Sequence, residues 1–155
     1  MFFPCYNEEA NVEQTTRAAL EVCPLVSDDF EIIIVDDGSV DRTGEIADRL
    51  AAELPQVRAV HNRPNRGYGG ALQAGFRAAS KEWVFYTDGD GQFDFRELPK
   101  LLELLDRYDI VSAYRLDRQD SAVRRFNGWA WTVLCNIVLG LRLRDTDCAF
   151  KIYPR

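Results

Sequence analysis

The chain has few of the residues on which several common enzyme classes depend. It contains one histidine, His61, and four cysteines without a Cys-x-x-Cys pair. A single histidine argues against a Ser/His/Asp hydrolase, and the lack of cysteine and histidine pairs argues against a zinc site. Nothing resembles a secretory signal, so we expect reduced, mostly buried thiols in a protein that faces the cytosol.

Repeats and low-complexity tracts are also missing. Residues 129–139, the apolar core of the stretch 123–141, are too few to span a bilayer. With 46% hydrophobic and 28% charged residues, the composition is typical of a globular domain. Both ends resemble interrupted elements. We therefore expect a single domain over residues 1–155, truncated at both ends.

The charge is unevenly distributed along the chain. The net charge of −6 argues against general nucleic-acid binding. Residues 113–155 nevertheless carry +4 and residues 1–112 carry −10. The basic part predicts contact with an anion such as a phosphate or a membrane surface, although a solvated helix face explains any single arginine equally well.

Apolar runs and amphipathic stretches alternate along the chain. The predicted strands cover residues 1–4, 30–35, 57–60, 83–87 and 108–113. The predicted helices cover residues 10–22, 44–54, 70–79 and 97–107. Near-continuous apolar strands are typical of sheets covered on both faces. The alternation predicts an α/β fold with a mainly parallel sheet flanked by helices on both faces.

A C-terminal amphipathic helix is predicted over residues 123–141. It has a broad apolar face, with arginines before and after it. Such a helix could lie in a membrane interface, with aromatic and basic anchors. It could equally be a buried core helix, and the sequence does not distinguish the two.

Asp88-Gly89-Asp90 follows the apolar run 83–87 directly. Ligands of open α/β sheets bind at the carboxyl ends of the strands, where these carboxylates would lie. Two carboxylates beside the amide of Gln92 form an oxygen-only site that suits Mg²⁺ or Mn²⁺. Such an ion would hold a diphosphate, which predicts chemistry with a phosphorylated leaving group.

Two other aspartate motifs fit this segment poorly. An EF-hand loop would require glycine at Phe93 and glutamate at Pro99. An aspartyl-phosphate phosphatase would use Asp88 as its nucleophile and Asp90 as its acid and base. That motif normally ends the first strand, whereas this one ends about the fourth.

A second acidic strand end is formed by Asp36 and Asp37. These two carboxylates would repel each other unless they bind a base amide, a ribose hydroxyl or a cation. Helix capping explains the nearby Ser39 and Asp41, but it does not explain the acidic pair.

The third strand end and a glycine-rich segment give weaker signals. Tyr6 could stack on a nucleobase while Glu8 accepts hydrogen bonds. The segment 65–72 opens a helix whose backbone N–H groups could face an anion, or its small residues could allow close packing. It does not match a dinucleotide fingerprint, because Leu72 replaces the third glycine, and it lacks the P-loop ending.

Together these motifs resemble the family 2 inverting glycosyltransferases of the GT-A fold, over essentially the whole chain. The most similar branch resembles dolichyl-phosphate mannosyltransferase and bacterial polyprenyl-phosphate glycosyltransferases. The matching segments, in order, are residues 3–9, 35–43, 66–71, 88–92, 115–118 and 145–151. The Gln-x-x-Arg-Trp motif of processive polysaccharide synthases is absent.

The resemblance implies a role for each matching residue. The implied nucleotide-sugar site comprises Pro4, Tyr6, Glu8, Val35, Asp36, Asp37, Asp88 and Gly89. The implied metal ligands are Asp88, Asp90 and Gln92. Catalysis would involve Asp88, Asp90 and Arg115, with Arg115 contacting phosphate in the acceptor region. Further contacts with a lipid phosphate are implied for Arg118, Arg124 and Arg125.

The resemblance also implies a reaction. A metal-dependent enzyme at the cytoplasmic face of the membrane would move one sugar from a UDP- or GDP-sugar to a polyprenyl phosphate. A hydroxyl acceptor would instead require a base, for which Asp145 and Asp147 are candidates. A sugar-phosphate nucleotidylyltransferase is a further alternative, disfavoured because residues 2–9 are acidic. The last alternative is a non-catalytic remnant that binds a nucleotide-sugar.

Overall fold

A computed structural model describes residues 1–115 and 122–155, except for the side chains of residues 122, 124 and 125. The strands in this part of the chain are β1 (Phe2–Cys5), β2 (Ile32–Asp36), β3 (Val57–His61), β4 (Trp83–Thr87), β5 (Val111–Ser112) and β6 (Phe150–Pro154). They form one sheet in the order β3-β2-β1-β4-β6-β5. β1, β2, β3 and β4 are parallel, whereas β6 pairs antiparallel with β4 and β5.

Helices cover both faces of this sheet. They are α1 (Val12–Val26), α2 (Thr43–Glu53), α3 (Gly67–Ala78), α4 (Leu98–Leu102) and α5 (Ala122–Leu139), with a 3-10 helix at Phe95–Glu97. Successive strand residues point to opposite faces, so Phe3 packs in one apolar cluster with α1 and α2. Phe2 packs in the opposite cluster with α3. The predicted fold class is confirmed.

Two predicted elements are shorter in the structure, and one strand of the structure was not predicted. β5 is much shorter than 108–113, because Tyr108 and Ile110 are exposed and only Val111 is buried. The helix predicted at 97–107 ends at Leu102. Beyond it, the backbone N–H of Leu105 donates to the Leu102 carbonyl three residues back, so the chain continues as turns. β6 was not predicted.

The buried-core alternative for α5 is wrong. Most of its apolar side chains are exposed, namely Val123, Phe126, Trp129, Trp131, Leu134, Ile137, Val138 and Leu139. The helix ends before Gly140, whose φ of +66° suits a residue without a Cβ. In the described part of the chain, no helix has the length and apolar content needed to cross a membrane.

Candidate active site

The carboxyl ends of β1, β2 and β4 meet at one edge of the sheet. The chain proceeds from β1 to β2 and β3 on one side, and returns to β4 on the other side of β1. Ligands of such sheets bind at this point of reversal. A cavity of about 470 Å³, here called the strand-end cavity, lies there. Its lining includes the predicted site residues Pro4, Tyr6, Glu8, Asp37, Asp88, Gly89 and Asp90.

The loops after β1 and β2 are tied together by hydrogen bonds. The backbone N–H of Asn7 donates to Ser39 Oγ at 3.0 Å, and Asn7 Oδ1 accepts from the Val40 N–H at 2.9 Å. Asn7 itself has a φ of +59°. This bracing holds the neighbouring Tyr6, which is half exposed, at the cavity.

Asp36 and Asp37 have different environments although they are adjacent. Asp36 is buried, and its carboxylate accepts from the Ser39 N–H at 2.9 Å. His61 lies between two carboxylates, with Nδ1 2.9 Å from Asp36 Oδ2 and Nε2 2.9 Å from Asp48 Oδ1. Burial alone would raise the pKa of Asp36, but the hydrogen bonds from Ser39 and His61 outweigh it and lower the pKa. Asp36 therefore stabilises the turn after β2.

Asp37 connects β2 to the loop before α3. Its carboxylate accepts from Asn62 Nδ2 at 2.7 Å and from the backbone N–H of Arg66 at 3.0 Å. Its carbonyl oxygen accepts from Asn65 Nδ2 at 2.6 Å. The two adjacent carboxylates thus have separate donors, and Asp37 is the one in the cavity lining.

Three of the residues predicted to bind the nucleotide-sugar or the metal lie outside the strand-end cavity lining. Val35 is fully buried in the apolar cluster below α3. Asp36 belongs to the turn described above. Gln92 is exposed, and its backbone N–H donates to Asp90 Oδ1 at 3.0 Å.

Asp88 and Asp90 line the cavity with Gly89 between them. Burial raises the pKa of Asp88 and the charge of Asp90 adds to this effect, against a hydrogen bond from Tyr68 and the charge of Arg115. Gly89 allows the close approach of β1, because an added Cβ would lie 2.5 Å from Cys5 Sγ.

A divalent cation fits this pair of carboxylates. Both offer the oxygen atoms that Mg²⁺ and Mn²⁺ prefer, and a cation would offset the repulsion that disfavours ionised Asp88. Across residues 1–115 and 122–155, no three His, Cys, Asp or Glu side chains form a group that could hold an ion. Water or a bound ligand would therefore have to complete the coordination.

A second cavity of about 580 Å³, here called the outer cavity, adjoins the first. Its lining residues are Tyr68, Tyr86, Asp88, Arg115, Asn127, Gly128, Trp131, Thr146 and Asp147. Arg115 Nε donates to Asp145 Oδ2 at 3.1 Å, and the backbone N–H of Asp147 donates to Asp145 Oδ1 at 3.0 Å. The buried Asp145 therefore holds both Arg115 and the loop that carries Asp147.

The outer cavity is formed where α5 meets the loop before β6. Thr132 on α5 and Thr146 share a hydrogen bond of 2.7 Å between their hydroxyl groups. Asn136 also bonds the backbone of Leu143, accepting from its N–H at 3.0 Å. Of the other predicted phosphate contacts, Arg118 and the side chains of Arg124 and Arg125 lie outside the described residues.

Tyr68 is the main site residue that the predictions omit. Its hydroxyl donates to Asp88 Oδ1 at 2.8 Å, and it lines both cavities. Burial and the charge of Asp88 raise the pKa of Tyr68, which keeps the hydroxyl a donor. Its place in the glycine-rich segment at the start of α3 was the available signal. That segment suggested either a role for backbone N–H groups or close packing of its small residues, and no role for the tyrosine side chain.

Comparison with known proteins identifies the family. The model of glycosyl transferase family 2 matches residues 1–154. The chain belongs to this family. It is 38% identical over 160 residues to glycosyltransferase AglD of Haloferax volcanii, an alignment that covers 98% of this chain and 26% of the relative. It is 36% identical over 153 residues to the undecaprenyl-phosphate 4-deoxy-4-formamido-L-arabinose transferase of Edwardsiella ictaluri, covering 97% of this chain and 47% of the relative.

The chain thus spans about a quarter to a half of the length of these curated relatives. Among solved structures, it resembles mannosyltransferase PcManGT from Pyrobaculum calidifontis, in complex with GDP-Man and Mn²⁺. The TM-score is 0.64 at 28% identity, over 74% of this chain and 34% of the other. It also resembles glucosyl-3-phosphoglycerate synthase from Mycobacterium tuberculosis, in complex with Mn²⁺ and UDP-glucose. That comparison has a TM-score of 0.67 at 26% identity, over 99% of this chain and 54% of the other. The predicted family and GT-A fold are confirmed.

Proposed function

We propose that this family 2 glycosyltransferase moves one sugar from a UDP- or GDP-sugar to a polyprenyl phosphate, with inversion and with a divalent cation. The proposal rests on one observation: Asp37, Asp88 and Asp90 share a cavity that adjoins a second, Arg115-lined cavity. The two solved neighbours, bound to nucleotide-sugars and Mn²⁺, support the donor and the cation. The undecaprenyl-phosphate transferases among the relatives support the acceptor.

The strand-end cavity would hold the nucleotide. Tyr6 offers a half-exposed ring on which a base can stack. Asp37 is a hydrogen-bond acceptor for the base or ribose, and Glu8 is a second acceptor in the same lining. Together these residues would orient the nucleoside with its diphosphate towards Asp88 and Asp90.

Asp88 and Asp90 are the residues that would hold Mg²⁺ or Mn²⁺. When bound, such an ion supplies positive charge that neutralises the departing nucleoside diphosphate. Without a cation the two carboxylates would repel a diphosphate, since both are negative when ionised. We therefore expect donor binding in this cavity to depend on the metal.

The outer cavity would hold the acceptor phosphate beside Arg115, whose guanidinium attracts anions. An acceptor phosphate oxygen would form the new bond to the anomeric carbon. The bond from that carbon to the diphosphate oxygen would break, and its electron pair would leave with the nucleoside diphosphate. Attack opposite the leaving group inverts the anomeric centre. The phosphate is already ionised at neutral pH, so the step needs no general base.

A hydroxyl acceptor is the second candidate. Asp147 lines the outer cavity and could accept the hydroxyl proton, whereas Asp145 is engaged with Arg115. A solved neighbour, glucosyl-3-phosphoglycerate synthase in complex with phosphoglyceric acid, is 25% identical to this chain with a TM-score of 0.69. Its bound phosphoglyceric acid supports a small phosphorylated molecule as the acceptor in this second candidate. Replacing Asp147 with Asn would abolish transfer to a hydroxyl, but would leave transfer to a polyprenyl phosphate largely intact.

The exposed apolar side chains of α5 would lie against the cytoplasmic face of a membrane that carries the polyprenyl phosphate. Trp131 belongs both to this exposed surface and to the outer cavity, so an acceptor phosphate there would adjoin the bilayer. Arg142 and Arg144 follow the helix and are exposed. Flotation with anionic vesicles tests this placement: Trp129→Ser and Ile137→Ser should weaken flotation, and Leu25→Ser, at an exposed leucine elsewhere, should not.

The deciding experiment is incubation with UDP- or GDP-sugars and a short polyprenyl phosphate, with Mn²⁺, Mg²⁺ or EDTA. We expect transfer that EDTA abolishes. Asp90→Asn should reduce it by about 10²-fold or more, as loss of a group that stabilises transition-state charge does. Asp106→Asn, at an exposed residue, is the matched control. Diphosphate binding without transfer would favour the non-catalytic alternative, and pyrophosphate release from a nucleoside triphosphate would favour a nucleotidylyltransferase.

A further inference from the structure

One hydrogen-bonded pair of residues is shared by the linings of the two cavities. Among residues 1–115 and 122–155, Tyr68 and Asp88 are the two that line both cavities. Tyr68 Oη donates to Asp88 Oδ1 at 2.8 Å. Under the proposed function the sugar leaves a donor in one cavity for an acceptor in the other. The reacting atoms would therefore lie beside this pair.

We propose that Tyr68 is a positioning residue with two separable effects. Its hydroxyl holds the Asp88 carboxylate in the orientation that receives the cation and diphosphate, and its ring separates the donor cavity from the acceptor cavity. This inference rests on the proposed function.

The backbone that precedes Tyr68 is anchored to the end of β2. Gly67 begins α3 with a φ of +71°, and its N–H donates to Asn65 Oδ1 at 2.9 Å. Asn65 in turn donates through Nδ2 to the carbonyl oxygen of Asp37. The start of α3 is thereby fixed to the end of β2, and Tyr68 reaches from there to the end of β4.

The hydroxyl engages Oδ1 of Asp88, so the carboxylate keeps its second oxygen for a ligand. A hydrogen bond from a neighbouring residue is the usual means by which a metal-binding carboxylate is oriented. The second carboxylate, that of Asp90, accepts a corresponding hydrogen bond at Oδ1 from the backbone N–H of Gln92, at 3.0 Å. Both carboxylates are thus held before any ligand arrives.

Two variants separate the two effects. Tyr68→Phe removes the hydroxyl and keeps the ring, so we expect the Mn²⁺ affinity of the UDP- or GDP-bound protein, measured by electron paramagnetic resonance, to fall by about tenfold. At saturating Mn²⁺, turnover should fall by a similar factor, while the KM for the nucleotide-sugar changes little. Tyr68→Ala also removes the partition, so the share of donor lost to water rather than transferred should rise several-fold above that of Tyr68→Phe.

Tyr108→Phe is the control, because Tyr108 is exposed and lies outside both cavity linings. It should match the unsubstituted protein in every measurement. Unchanged Mn²⁺ affinity and turnover in Tyr68→Phe, with an unchanged melting temperature, would overturn the role of the hydroxyl. An unchanged hydrolysis share in Tyr68→Ala would overturn the partition. Absence of transfer by the unsubstituted protein would refute the proposed function instead, and the Mn²⁺ affinity of Tyr68→Phe would still decide the role of the hydroxyl.

Discussion

Replacing Gly89 with alanine would insert a methyl group between the ends of β1 and β4. The added Cβ would lie 2.5 Å from Cys5 Sγ and 2.9 Å from the carbonyl oxygen of Pro4. Ordinary van der Waals contact begins at 3.4 Å. The Pro4 oxygen belongs to the backbone of a strand that is paired on both sides, so no side-chain rotation removes the overlap. The two strand ends would have to move apart.

The expected cost follows from this overlap. Forcing an extra methyl group into a packed interior costs about 1–3 kcal/mol. For a domain of this size, each kcal/mol lowers the melting temperature by about 2–4 °C, so the expected loss is roughly 2–12 °C. Separation also displaces Asp88 and Asp90 from the position set by β1. A displacement of about 1 Å near the reacting atoms can lower turnover by about 10²-fold.

Thermal unfolding by circular dichroism and Mn²⁺-dependent turnover of a UDP- or GDP-sugar would measure both effects. Gly69→Ala is the matched control, because its added Cβ would have no neighbour within 4 Å. Alanine there should raise stability by about 0.5–1 kcal/mol, since Gly69 lies in α3. In a Gly89→Ala background, Cys5→Ala should restore only part of the loss, because the Pro4 oxygen remains. If Gly89→Ala melts and turns over like the unsubstituted protein, this account of the strand ends is refuted.

Three further substitutions test other contacts. Burial alone would lower the pKa of His61, but its hydrogen bonds to Asp36 and a second carboxylate raise the pKa above 6.5. The stability that His61→Gln loses should therefore be largest below pH 6.5 and should vanish as pH rises through the raised pKa. Urea unfolding across a range of pH measures this loss. Glu31 is buried, yet hydrogen bonds from Ser80 outweigh that burial and lower its pKa below 4.5. Glu31→Gln should cost about 1–3 kcal/mol at pH 7, a difference that should disappear in denaturant titrations as pH falls through the lowered pKa. Arg115→Lys should raise the acceptor KM by about tenfold or more while the donor KM stays constant, in steady-state kinetics with each substrate varied.

The sequence predicts the parallel part of the fold because those strands carry their own apolar runs. All five residues of β2 (Ile32–Asp36) are buried, as the near-continuous apolar run at residues 30–35 suggests. β6 escapes prediction because Lys151 interrupts its apolar pattern, and because its partner β4 is distant in the chain. The Lys151 ammonium is accommodated by donating to the Thr146 carbonyl at 2.8 Å, a contact that no local pattern reveals.

The site was predictable in its acidic residues but not in how they are divided between tasks. Spacing alone does not distinguish Asp36, which holds a turn, from Asp37, which lines the cavity. The contacts of Asp36 with His61 and of Asp37 with Asn62 each join residues 25 positions apart in the chain. Tyr68 is hidden for the same reason, since Asp88 lies twenty residues further along the chain. The exposure of α5 likewise depends on which neighbours are available to cover it.

With the antiparallel strand β6 in the sheet, the two cavities are lined mainly by different segments of the chain. Thr87 at the end of β4 pairs with Phe150 at the start of β6. The loop that carries Asp147 therefore enters the sheet beside the end of β4, which leads to Asp88. The carboxylates of the strand-end cavity belong to residues 1–90, whereas most of the outer-cavity lining comes from residues 115–147. Under the proposed function, changes in the later segment would reshape acceptor selection while the earlier framework stays intact. We expect members of this family to diversify in what they glycosylate more readily than in how they grip the activated sugar.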